Sequence, residues 1–98
     1  MGKRVIWKTK PKLQVREIET YLRAEFGAKA VDNFLDKMYA KLEQISNYPE
    51  IGRPTRFKTI RRIKVGKYNY LYYRISGAKI LILFVWDGRQ DPGKNPYR

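Results

Sequence analysis

The densest group of side chains able to do chemistry is Arg53, Arg56, Lys58, Arg61, Arg62 and Lys64. These cations are interleaved with Phe57 and followed by Tyr68, Tyr70 and Tyr72. Such a mixture holds phosphates by charge and gives nucleobases rings on which to stack. The plain alternative is a solvated face whose tyrosines merely complete a sheet. A second set is Arg74, Arg89 and Tyr97. Arginines beside a scissile phosphate stabilise transition-state charge, and a tyrosine can stack on a base or assist proton transfer. The bland readings are a solvent-facing strand residue for Arg74 and a frayed terminus for Tyr97.

Composition removes whole classes of chemistry. The chain has no cysteine and no histidine. Disulfides, thiolate nucleophiles and zinc sites built on either residue are therefore excluded, and so is the most frequent general base near neutral pH. Asp87 and Asp91 are the only acids after residue 52 and are embedded among basic residues, a poor setting for a metal. Neither a GxxxxGK[ST] nor a GxGxxG phosphate loop occurs. No cofactor and no metal are expected.

Charge is distributed unevenly. The chain has 98 residues, with 22 Lys and Arg against nine Asp and Glu, for a formal charge of +13. Residues 1–52 carry net +3, and residues 53–98 carry net +10. A field of that size attracts polyanions and opposes self-association. The length suits one domain over residues 1–98. The longest apolar run, Ile80 to Trp86, is far short of the roughly 20 residues that cross a bilayer. No membrane association is expected, and the default location is the cytoplasm.

The elements that must position these side chains follow from periodicity. Val5-Ile6-Trp7 is a short β-prone run, and Thr9-Lys10-Pro11 offers an N-cap with a proline in the first helical turn. Val15, Ile18, Leu22 and Phe26 form the stripe of an amphipathic helix that Gly27 stops. Val31, Phe34, Leu35, Met38, Leu42 and Ile45 form a second stripe, ending near Tyr48 because Pro49 follows. With almost no linker, the two helices form a hairpin. Pro49 to Pro54 reads as a loop. Strands follow at Ile60–Val65, Tyr68–Ile75 and Ile80–Trp86, separated by turns at Gly66-Lys67 and Ser76-Gly77. In the second strand Asn69, Leu71, Tyr73 and Ile75 share one face, and Tyr68, Tyr70, Tyr72 and Arg74 the other. The third is apolar without interruption, as in a central strand covered on both faces. The fold class is α+β: strand-helix-helix-strand-strand-strand, with the helical hairpin on one face of an antiparallel-rich sheet. Many of the basic residues should lie on or around the other face.

Together these segments resemble the RelE/ParE superfamily of bacterial type II toxins. The likeness covers the helical hairpin, the junction Tyr48-Pro49-Glu50-Ile51-Gly52-Arg53, the strand Tyr68 to Ile75 and the ending Ile82 to Pro92. It implies a growth-arresting toxin held in a hetero-oligomer by a cognate acidic antitoxin. RelE-type members are endoribonucleases that cleave mRNA in the ribosome; ParE-type members poison DNA gyrase. The junction and the Arg89-Gln90 pair are similar to the ParE branch, whereas the charge suits ribosomal RNA as well. For the ribonuclease type, Arg89 and Tyr97 lie in roughly the matching places, with Lys58, Arg61 and Arg62 for phosphate contacts. Asn69 stands where those enzymes carry an arginine. The remaining alternative is a non-catalytic RNA- or protein-binding relative.

Overall fold

A computed structural model of the chain describes residues 2–87. Its elements are β1 (Arg4–Trp7), α1 (Thr9–Phe26), α2 (Ala28–Asn47), a 3-10 turn (Pro49–Ile51), β2 (Arg53–Pro54), β3 (Ile60–Val65), β4 (Asn69–Ser76) and β5 (Lys79–Asp87). The strands form one sheet in the order β1-β5-β4-β3-β2. β3, β4 and β5 are joined by hairpins and pair antiparallel, whereas β1 pairs parallel to β5, Arg4 opposite Lys79 and Trp7 opposite Ile82. The sheet is therefore mixed, and β5 is interior as its unbroken apolar run predicts.

One face of the sheet is covered by the hairpin. Phe34, Met38, Leu42 and Ile45 of α2 pack on Val65, Leu71, Tyr73, Ile80, Ile82 and Val85, with Val15, Ile18 and Leu22 of α1 alongside. The helical stripes and the alternation along β4 thus find each other, and the hydrophobic effect acts where both periodicities meet. Gly27, at φ +91°, joins the helices in a conformation that side chains disfavour.

Four local features differ from the sequence reading. Thr9 is inside α1 rather than capping it, and Lys8, in extended geometry with no side-chain cap, precedes the helix. The cause is the parallel ladder: the Lys8 N–H donates to the Ile82 carbonyl at 3.3 Å, holding Lys8 extended so that Thr9 is the first residue free to turn. The junction is ordered as a 3-10 turn and a two-residue edge strand, in which Arg53 and Pro54 pair with Arg62 and Arg61. Pro54 suits an edge, where no outward N–H is required. β4 begins at Asn69 rather than Tyr68, because Gly66, Lys67 and Tyr68 together make the turn, with Gly66 at φ +70°. Finally, the β4–β5 register shifts between Tyr72, opposite Phe84, and Tyr73, opposite Ile82. Leu83 is the extra residue of a bulge, which rephases β5 so that Val85 faces the hairpin and Phe84 and Trp86 face away.

Candidate interaction face

The sheet face turned away from the hairpin is built from alternate residues of three strands. β3 contributes Ile60, Arg62 and Lys64; β4 contributes Tyr70, Tyr72 and Arg74; β5 contributes Phe84 and Trp86. Its centre is aromatic and buried: Ile60, Tyr72, Phe84 and Trp86 form a second apolar cluster, with Tyr70 and Leu83 packed against it. The Tyr72 and Phe84 rings meet edge to face at 6.3 Å between centroids, and Phe84 stacks on Trp86 at 6.1 Å. Offset and edge-on geometries of this kind suit the ring quadrupoles.

Cations frame this cluster on both sides. The Arg62 guanidinium lies 5.1 Å from the Tyr70 ring centroid, and the Lys10 ammonium, delivered by the first turn of α1, lies 5.1 Å from that of Phe84. Lys64 is exposed and pairs with Tyr70, while Arg74 pairs with Ile60 and sits diagonal to Arg62. Strand pairing also sets Arg53 directly opposite Arg62. Like charges placed opposite one another in a ladder cost stability, so this pairing favours an anionic partner rather than the isolated chain. A shallow concavity lined by Ile51, Arg53, Arg62, Ile63, Lys64 and Tyr70 lies at this corner.

The corner is held by a buried latch. The Tyr73 hydroxyl, on the hairpin side of β4, donates to the Pro49 carbonyl at 2.6 Å and accepts the Gly52 N–H at 2.9 Å. A Cβ on Gly52 would stand 2.4 Å from that hydroxyl, so the junction can lie against the ring only with glycine there. The Arg61 guanidinium reaches the same segment, donating to the Gly52 carbonyl at 2.8 Å and to that of Glu50 at 3.2 Å. Burial raises the Tyr73 pKa above that of a free phenol, opposed by the Gly52 hydrogen bond and by the nearby Arg61 charge.

Comparison with known proteins places the chain in a family. The family model described as the ParE toxin of the type II toxin-antitoxin system parDE matches residues 5–92. The chain belongs to the ParE toxin family. A chain of the chromosomal ParDE toxin-antitoxin system from P. aeruginosa superposes with a TM-score of 0.76 at 15% identity, covering 88% of this chain and 96% of that one. At that identity the likeness is one of fold. No curated protein sequence matches. Within the wider RelE/ParE superfamily, this ParE-family chain keeps the strand-helix-helix-strand-strand-strand order, with the two-residue β2 added ahead of the three long strands.

Of the residues singled out in the sequence, the fold gathers Arg53, Arg62, Lys64 and Tyr70 at one corner and places Arg74 farther along the same face. Arg56 and Lys58 lie in the exposed loop between β2 and β3, with Arg56 held 5.1 Å from the Phe57 ring. Arg61 points its guanidinium at junction carbonyls. Arg89 and Tyr97 lie outside the described residues. Among the described residues no group of three acidic side chains gathers as a metal site would, and no helix is long and apolar enough to cross a membrane. Sequence reading missed Lys10, whose place over Phe84 depends on how α1 leaves the parallel ladder, and the Tyr73–Gly52 latch, which no local pattern encodes.

Proposed function

We propose that this type II toxin is a ParE-type poison of DNA gyrase, kept inactive by an acidic antitoxin, and not a ribosome-dependent ribonuclease. The observation that carries the choice is Asn69. Where ribonuclease relatives place an arginine, this chain has a neutral amide that is only 8% exposed, between Val65 and Asp87 in the sheet. The first position of β4 therefore offers no cation to an RNA phosphate. Arg61 supports the same reading, since its guanidinium serves two backbone carbonyls of the junction. What remains on the face is Arg62, Lys64, Arg74 and Tyr70 around a packed aromatic floor, an arrangement suited to binding. The protein neighbour from P. aeruginosa comes from a ParDE toxin-antitoxin system, which supports an antitoxin as the partner here.

The test compares two reactions of the purified chain. With gyrase, ATP and closed-circular plasmid it should accumulate cleaved DNA held on gyrase; with ribosomes stalled on messenger it should leave the message intact. Cleavage of message in the A site with gyrase unaffected reverses the assignment. Continued growth on induction, with neither lesion, leaves only the non-catalytic binder. Tyr97→Phe separates the two routes: it should abolish ribonuclease toxicity and leave gyrase poisoning in place.

A further inference from the structure

The end of α2 carries an apolar patch. Tyr48 is 70% exposed and Ile51 is 51% exposed, and with Pro49 and Ile75 they line a broad concavity bordered by Lys3 and by Glu50, the one acid of its lining. Large apolar side chains this exposed, side by side, usually await a partner. The backbone here is not loose. Tyr73 and Arg61 fasten Pro49, Glu50 and Gly52 from beneath, and the Tyr48 N–H donates to the Gln44 carbonyl at 2.8 Å. Lys3 is fixed beside it: its N–H donates to the Ser46 carbonyl at 2.8 Å and its ammonium to the Gly77 carbonyl at 2.6 Å. The Tyr48 ring and the Ile51 side chain are thus presented on a preorganised mount, which lowers the ordering cost of binding.

Ile51 belongs to two concavities at once. One is the apolar patch; the other is the corner lined by Arg53, Arg62, Lys64 and Tyr70. An apolar anchor and a rim of cations therefore form one continuous surface. We infer that this surface, centred on Tyr48 and Ile51 and rimmed by Arg53, Arg62 and Lys64, is where an acidic amphipathic segment of the antitoxin docks. The inference rests on the reading of the chain as an antitoxin-bound toxin and adds the place of contact. A second copy is a poor occupant, because self-association would bring two sets of these cations together on chains of net +13. A segment with an apolar stripe and acidic flanks meets both halves of the surface, the stripe on Tyr48 and Ile51 and the acids on the arginines.

The probe is the purified product of the reading frame adjacent to this one, titrated calorimetrically into the full chain at low and high salt. Ile51→Asp should weaken the complex at least about tenfold, since it removes an anchor and adds a charge of the wrong sign. Arg53→Glu should weaken it and flatten its salt dependence. Phe26→Asp is the control: Phe26 is 63% exposed at the far end of the hairpin, and this variant should bind within about twofold of the parent. Circular dichroism and melting temperature confirm that each variant is folded, and Tyr48→Ser provides a second, milder lesion. A folded Ile51→Asp chain that binds like the parent overturns the inference. So does loss of self-association, or of gyrase trapping, with antitoxin affinity intact, since the patch then serves a second copy or the target. If the parent forms the complex through Ile51 yet never traps gyrase, the target assignment falls and the docking surface stands.

Discussion

The two faces of the sheet are both apolar at their centres, yet they are built from different residues for different ends. The hairpin side is aliphatic, with Ile45, Leu71, Ile80 and Ile82 wholly buried and Tyr73 as its one fully buried phenol. The opposite side is a floor of Tyr72, Phe84 and Trp86 framed by Lys10, Arg62, Lys64 and Arg74. Aliphatic interdigitation gives density and stability, whereas rings bordered by cations give a stiff platform that carries positive charge. Under the proposed function, stability and binding fall to opposite surfaces of the same three strands.

Substitutions can break that division. The largest effect should come from Leu71→Ala, which opens a cavity on the hairpin side and should cost about 2–5 kcal/mol in denaturant unfolding, with toxicity lost along with the fold. Next is Tyr73→Phe. It strands the Gly52 N–H and the Pro49 carbonyl and should cost about 1–3 kcal/mol. Its pH dependence has a definite sign. The folded phenol titrates above its unfolded value of 10.0, so its stabilisation is complete below that pH and is lost as pH rises through the folded value. Part of the parent's alkaline loss of stability should vanish in the phenylalanine variant, as melting curves between neutral and strongly alkaline pH would reveal.

The binding face should respond in the opposite way. Arg62→Ala removes the contact with Tyr70 and should lower stability by no more than about 1 kcal/mol, while sharply reducing growth arrest on induction. Lys64→Ala should be the mildest, within about 0.5 kcal/mol of the parent in unfolding, with its effect visible as a smaller salt dependence of binding. If Arg62→Ala and Leu71→Ala lose stability and toxicity in the same proportion, the two faces are not functionally separate.

Much of this division is legible in the sequence. Period 3.6 in residues 15–45 and period 2 in β4 report which side most residues take, although Phe26, at the end of the first stripe, is 63% exposed, and the lopsided charge marks the half proposed to bind. Tyr72 and Tyr73 show where legibility ends. They are adjacent and both fully buried, and nothing near them in sequence says that one hydroxyl will meet Gly52 and Pro49, more than 20 residues away. The bulge at Leu83 is equally silent, because an unbroken apolar run has no phase to interrupt. Arg61 and Arg62 look alike as text, but strand alternation sends one to the junction and the other to the open face. The exposure of Tyr48 and Ile51 was hidden for the same reason: it depends on a 3-10 turn latched by residues from other strands.

The parallel pairing of β1 with β5 has a consequence in time. Arg4 and Lys79 are neighbours in the sheet although 75 positions separate them in the chain. Contacts of such long span close late, after loop entropy has been met by the local hairpins. During synthesis the first strand emerges long before β5, its one sheet neighbour among the described residues, exists, so the amino-terminal end waits while nearly all the described chain is made. The aromatic platform, which needs Phe84 and Trp86, is assembled in the same final step. A chain lacking β5 should therefore lack both the amino-terminal ladder and the aromatic platform.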